Sequence, residues 1–278
     1  ESLINSSFTP STGLKVNLKI TSASIIQAKL SGNGPDLLIN NSRSAPVNYA
    51  IRSSAYDLTK FSDYNEVIKR FAPSAMTPYT YKGGVYGLPE TQSFYMMFVR
   101  TDILDELSIS VPKTWEEFYL AAKIIALNNM DVAIPYIQVT NDAVNAGVGA
   151  LTLLPTIALQ NGVSIYNNEL NSTNFSSAGM LTAAQMWTDL YTKYKLPKTY
   201  NFFNRFRTGT IPLAIQDYTN YALVDAAAPE INGRWTIAQI PGVKQENGEI
   251  NNCVSGSGNA AVILSTSKNP SYAWDFLK

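Results

Sequence analysis

The sequence contains no histidine, and its single cysteine is Cys253. Without histidine there is no Ser-His-Asp or Cys-His nucleophile and no His-ligated zinc. One cysteine leaves neither a CxxC redox pair nor an internal disulfide. Charge is scarce as well: charged side chains are 15% of the residues, and Lys+Arg 21 balances Asp+Glu 21, whereas an average soluble domain carries ~25%. A neutral chain does not concentrate polyanions at its surface, which argues against nucleic acid and anionic membranes as partners. No window approaches the ~20 apolar residues of a membrane span. The N-terminal run from Glu1 to Ser6 lacks the basic flank and apolar stretch of a signal peptide.

What is present is a chain of 278 residues with 45% hydrophobic side chains. At ~150 residues per domain this means two lobes or one large domain. With so few charges the surface must be wetted by Asn, Ser and Thr, and those groups, together with aromatics, suit neutral polar ligands.

Strand-like and helical runs alternate along the sequence, which predicts α/β architecture with largely parallel sheets. Lys15 to Ile20 alternates at period two, as a half-buried strand does. Ser22 or Ser24 can cap a short helix through Leu30, and Asp36 to Ile39 reads as a buried strand. Val85 to Pro89 and Met96 to Val99 are further extended candidates. Thr114-Trp115-Glu116-Glu117 is a capping box, followed by Phe118, Ala122 and Ile125 at helical spacing. A second amphipathic helix is expected from about Ser177 to Tyr194, and Asn269-Pro270 opens a last one.

Six segments, in order, then carry a resemblance. They are Ser31 to Ile39 (SGNGPDLLI), Tyr81 to Pro89 (YKGGVYGLP), Phe98 to Leu104, Val111 to Phe118 (VPKTWEEF), Phe206 to Ile215, and Ser267 to Leu277 (SKNPSYAWDFL). The chain resembles the bacterial extracellular solute-binding proteins of ABC importers, the maltose- and oligosaccharide-binding class, as a central portion of such a protein. That resemblance implies an α/β, two-lobe type II periplasmic-binding-protein fold, with lobes of mainly parallel sheet flanked by helices and joined by crossing hinge strands. Lobe 1 is expected over residues 1–94 plus 258–278 and lobe 2 over 95–257. It further implies a monomeric receptor for a small-molecule ligand, an oligosaccharide held in the interlobe cleft, with an ABC permease in the membrane as partner. Cofactors, metal and catalytic residues are not expected. The location implied is extracellular or periplasmic, membrane-anchored through a segment not in this chain.

The resemblance also places candidate ligand residues. Arg43 and Ser44 follow the Gly34-Pro35-Asp36 step, where the family often has a charged pair. Glu90, Thr91, Gln92 and Ser93 follow Pro89 into the first crossing. Four consecutive polar residues between two apolar runs are hard to explain as core, although a plain hinge loop has the same look. Asp217, Tyr218 and Tyr221 stand at the end of the strand through Ile215, where aromatic stacking residues are expected; either tyrosine could instead be core. Asn201 to Phe206 could offer another stacking face. Ser255 and Ser257, in Val254-Ser255-Gly256-Ser257-Gly258, fit the second crossing, where small residues allow close backbone approach. Cys253 is expected to be buried or half-buried.

Two rivals stand beside this reading. A carbohydrate-active hydrolase needs paired carboxylates, and Glu116-Glu117 and Asp102/Asp105/Glu106 are pairs of that kind. Acids in a helix first turn are better explained by capping and the macrodipole. The other rival is an interaction module that keeps the fold within a larger surface protein. The glycine-rich runs Gly83-Gly84 and Ser255 to Gly258 lack the lysine that a phosphate-cradling loop requires.

Overall fold

A computed structural model describes residues 1–20, 32, 34–135, 153–167 and 172–278. The helix expected from Ser22 or Ser24 through Leu30 lies outside these residues. The strands are β1 (Leu37–Ser42), β2 (Leu88–Pro89), β3 (Tyr95–Arg100), β4 (Val132–Ala133), β5 (Leu213–Asp217), β6 (Trp235–Ala238) and β7 (Asn259–Ile263), apart from two short hairpins. The principal helices are α1 (Ala45–Ile51), α2 (Thr101–Glu106), α3 (Trp115–Leu127), α4 (Leu153–Gln160), α5 (Ala178–Thr192), α6 (Phe202–Arg207), α7 (Asn220–Ala227) and α8 (Pro270–Leu277). The chain forms two compact units, Glu1–Gln92 with Ser257–Lys278, and Ser93–Gly256.

The first unit is built on a three-stranded sheet in the order β1-β7-β2, with both pairings antiparallel. The register Leu37↔Ile263 and Leu38↔Val262 resumes at Asn41↔Ala260 after an irregularity. Asn40, inside that irregularity, has φ 59°, a left-handed conformation that asparagine tolerates better than most residues. The core gathers Leu58, Tyr64, Val67, Met76, Val85, Leu88, Ile263, Ala273 and Trp274. Phe61 stacks on Trp274 at 4.7 Å, and the Trp274 indole donates to Asp63 at 2.6 Å. Asp36 accepts from the Ser267 hydroxyl at 2.6 Å and from the Asn269 N–H at 3.3 Å. Two of the six sequence segments therefore meet at this carboxylate.

The second unit holds a four-stranded sheet, β4-β5-β3-β6. Only β4 and β5 run parallel; β3 is antiparallel to both β5 and β6. Period-two alternation splits the core. Met97, Val99, Leu213 and Ile215 pack with α3, α4 and α5, whereas Phe98 and Ala214 pack with Phe202, Phe206 and Val224 of α6 and α7. The capping box on α3 is complete, and Trp115, Phe118, Ala122 and Ile125 are all buried. Buried Gln160 accepts from the Trp115 indole at 2.7 Å and donates to the carbonyls of Pro241 and Cys253. Arg100, also buried, forks onto Asp102 at 2.7 and 2.9 Å and donates to the carbonyls of Phe206 and Arg207.

Several expectations need correction. Mainly parallel sheets do not describe the strands seen: one of the five principal pairings is parallel. Helix–strand alternation dictates parallel order only where successive strands enter one sheet through a crossover helix. β7 joins its sheet after the whole second unit has intervened, so that rule does not bind it. Lys15–Ile20 is not a strand, and most of it is exposed; alternation without a partner strand does not make a sheet. In β1 only Leu38 is buried. Val85–Pro89 breaks into two short strands at Tyr86–Gly87, where a Cβ on Gly87 would meet the Pro46 ring at 2.8 Å. Asn269 precedes α8, but its side chain forms no capping bond. Asp105 and Glu106 lie in the last turn of α2, not the first.

Candidate functional site

In the first unit, the irregular end of β1 and the chain leaving β2 bring polar residues together. The left-handed turn at Asn40 aims its backbone N–H at Glu90, whose Oε2 accepts at 2.6 Å. The Asn40 side-chain oxygen accepts from the Asn259 side-chain amide. Asn259 also holds the neighbouring backbone: its carbonyl accepts from the Glu90 N–H at 2.9 Å, and its N–H donates to the Thr91 hydroxyl at 3.0 Å. Glu90, Thr91 and Gln92 are exposed beyond this clamp. Arg43 and Ser44 are exposed in the turn between β1 and α1, and the Ser44 side chain forms no capping bond. Tyr79 is buried, which pushes its hydroxyl up; the Arg43 charge acts against that rise and Glu90 adds to it. Arg43 and Glu90 therefore both act on one phenol. Ser257 is exposed just before β7.

In the second unit the carboxyl end of β5 carries the other set. Ser93 is buried and its hydroxyl donates to Asp217 Oδ1, which also accepts from the Thr219 N–H at 3.0 Å and the Thr219 hydroxyl at 2.7 Å. All three donors converge on Oδ1, so Asp217 Oδ2 has no hydrogen-bond donor among the described residues. The adjoining rings form a row. Phe94 stacks on Tyr218 at 5.3 Å, Tyr218 on Tyr221 at 6.1 Å, and Tyr221 tilts against Trp235 at 5.3 Å. Offset spacing of this kind leaves part of each face uncovered. Tyr218 and Tyr221 are 41% and 39% exposed, so neither is core. Ser255 is bonded to the buried Thr156 through its hydroxyl at 2.8 Å and its N–H at 3.2 Å, which ties it into the unit's interior.

The sequence reading named Glu90, Ser93 and Asp217 but missed the residues that hold or extend them: Asn40, Asn259, Phe94 and Trp235. Phe94 follows Ser93 directly and was within reach; Asn259 clamps through backbone geometry that composition does not reveal. The alternative stacking face at Asn201 to Phe206 is mostly core, since Phe202 and Phe206 are buried and Phe203 lies under the Arg207 guanidinium. Cys253 is exposed, contrary to expectation, although partial burial still raises its thiol pKa. Nearby polar Asn251 and Asn252 keep this stretch at the surface. Two of the carboxylates a hydrolase would use are engaged elsewhere. Glu117 accepts from the N–H groups of Lys113 and Thr114, and Asp102 is bound by Arg100. Among the described residues no three His, Cys, Asp or Glu side chains gather in a way that could hold a metal ion. None of the described helices is long and apolar enough to cross a membrane.

Comparison with known proteins adds an independent line. The family model described as "Bacterial extracellular solute-binding protein" matches residues 6–278. Among solved structures, the chain is similar to the sugar-binding protein MalE of Xanthomonas citri, with TM-score 0.78 and 17% identity, covering 99% of this chain and 70% of that one. It is also similar to an ABC transporter solute-binding protein of Thermotoga lettingae bound with α-D-tagatose, with TM-score 0.73, 20% identity, and 99% and 71% of the two chains covered. A third is an ABC substrate-binding protein of Listeria monocytogenes in complex with cycloalternan: TM-score 0.66, 22% identity, 91% and 62% covered. At these identities the likeness establishes the two-lobe α/β fold.

Proposed function

From the premise that this chain belongs to the bacterial extracellular solute-binding protein family, we propose that it is the receptor of an ABC importer and binds a neutral carbohydrate, an oligosaccharide. The observation that carries this reading is the aromatic row from Phe94 to Trp235, which begins beside Asp217 and is exposed at Tyr218 and Tyr221. Sugars present apolar C–H faces and a rim of hydroxyls. Rings complement the first and fixed carboxylate oxygens the second. Asp217 Oδ2 and the exposed rings of Tyr218 and Tyr221 supply both from the second unit. Glu90, held through Oε2 by Asn40, supplies a carboxylate from the first, with Arg43, Ser44, Thr91, Gln92 and Ser257 beside it in the proposed set. The net charge of +0 fits an uncharged ligand.

The role is binding without turnover. A ligand held by residues of both units has its highest affinity for whichever arrangement lets both sets reach it, and that differential affinity sets the equilibrium. The proposed partner is the membrane permease that recognises the liganded form. The proposed location is outside the cytoplasmic membrane, with the protein anchored to it. The ligands held by the similar structures, tagatose and cycloalternan, support the carbohydrate class.

The test is thermal unfolding across mono- and oligosaccharides, with polyols and amino acids as controls. A ligand at ~100 times its dissociation constant adds about 2.7 kcal/mol. The reading predicts a large shift with an oligosaccharide and none with amino acids. An amino acid giving the dominant shift would overturn it.

A further inference from the structure

Ser93 is the first residue of the second unit and stands just before β3. Its backbone is held beside the end of β5 without help from its side chain. The β3–β5 register opens at Tyr95↔Asp217, and the Tyr218 N–H donates to the Phe94 carbonyl at 2.9 Å. That ladder sets the buried Ser93 side chain against Asp217, 124 residues further along, and the hydroxyl gives its one proton to Oδ1.

Two further donors reach the same oxygen, the N–H and the hydroxyl of Thr219. Their surroundings differ from those of Ser93. Thr219 is exposed, so water competes for its bonds, whereas Ser93 is buried and its bond is shielded. No ion pair to Asp217 occurs among the described residues, so hydrogen bonds set the plane of its carboxylate. The terminal torsion of an aspartate is broad, and an exposed turn two residues away holds it loosely. The Ser93 bond, anchored through the ladder to the neighbouring strand, narrows it.

We propose that Ser93 is a positioning residue for sugar binding: its hydroxyl occupies Asp217 Oδ1 and leaves Oδ2, in a preset direction, as the oxygen that accepts from a ligand hydroxyl. The proposal rests on the receptor reading above and gives Ser93 a role apart from the ligand contacts. An acceptor ordered before the ligand arrives binds more tightly than one the ligand must order. The adjoining Phe94 ring stacks on Tyr218 at 5.3 Å and 10°, so consecutive residues of one segment hold the carboxylate and the first exposed ring of the row.

The experiment is a double-mutant cycle of Ser93→Ala and Asp217→Ala. It is read by calorimetric titration with linear malto-oligosaccharides, maltose through maltoheptaose, and by melting without sugar. The ladder does not use the Ser93 hydroxyl, so Ser93→Ala keeps the fold. In the parent, Ser93→Ala should weaken binding of the tightest sugar roughly fivefold. In the Asp217→Ala background it should change affinity by less than about twofold, because its influence runs through Asp217; a role confined to packing would weaken binding equally in both. Ser93→Thr keeps the donor and should bind as the parent does. Without sugar, Ser93→Ala should lower the melting temperature of the parent but not that of Asp217→Ala, where the buried hydroxyl has lost its acceptor. Unaltered affinity in Ser93→Ala, equal losses in both backgrounds, an equal fall in melting temperature in both, or a Ser93→Thr that melts with the parent yet binds like Ser93→Ala would each overturn the proposal alone. Absence of saturable heat from the parent across the series would contradict the receptor reading, and this proposal would fall with it.

Discussion

Replacing Gly258 with alanine puts a methyl group where backbone already lies. A Cβ at that position would sit 2.2 Å from the Thr91 carbonyl oxygen, 3.1 Å from its carbon and 3.3 Å from the Gln92 Cα. Non-bonded carbons prefer ~3.5–4.0 Å, and no flexible side chain is present to swing aside, so the two segments must part. The bonds at risk are those between Glu90 N–H and the Asn259 carbonyl, at 2.9 Å, and between Asn259 N–H and the Thr91 hydroxyl, at 3.0 Å. At ~0.5–1.5 kcal/mol each, the loss is about 2 kcal/mol, the same scale as overpacking elsewhere. For a domain of this size that lowers the melting temperature by ~4–8 °C. Sugar affinity should fall with it, because Glu90 and Thr91 are set by this clamp. Gly256→Ala is the matched control: among the described residues its Cβ would meet only the Ser93 carbonyl oxygen, at 3.6 Å, an ordinary contact. Calorimetric melting and sugar titration of both variants decide the matter. Equal melting temperatures and affinities for the two would refute the reasoning.

Three further outcomes are expected. Asp217→Asn keeps an acceptor for Ser93 and Thr219 but removes the charge, so melting should hardly change. Carbohydrate affinity should weaken roughly tenfold, since bonds to a charged acceptor exceed neutral ones by ~1 kcal/mol or more; fluorescence titration would read both, and unaltered affinity would remove Asp217 from the site. Gln160→Leu strands the buried Trp115 indole N–H and the carbonyls of Pro241 and Cys253, and urea unfolding should show a loss of ~2–4 kcal/mol. As for acid, burial alone would raise the Asp102 carboxyl, but the Arg100 guanidinium outweighs it and holds the pKa below the usual carboxylate value. A depressed folded pKa means stability that is present above the unfolded value of ~3.9 and lost as pH falls through the folded one. Asp102→Asn should flatten part of the stability loss below about pH 4, and an unchanged acid profile would contradict this assignment.

Much of the second unit was legible because its signals are local. Thr114 and Glu117 sit three residues apart and form the capping box seen, and the alternation through Met96 to Val99 assigns each side chain to one of two cores. Lys15–Ile20 shows the limit of that signal, since period two describes a strand only where another strand accepts its hydrogen bonds. Strand direction was misread for a related reason: pairings such as β1 with β7 join residues from the two ends of the chain. The candidate site divides the same way. Asp217 and Tyr218 could be found at the end of an apolar strand. Asn40 acts through a left-handed backbone turn and Asn259 through a clamp across a sheet, and neither leaves a mark in the residues around it.

The most direct test of the central claim is an isothermal calorimetric titration of this chain with linear oligosaccharides, maltotriose among them. The account predicts saturable heat from reversible binding of at least one oligosaccharide, with the sugar recovered intact. Absence of saturable heat across the series would contradict the receptor assignment, and continuous heat release after saturation would reveal turnover in place of binding.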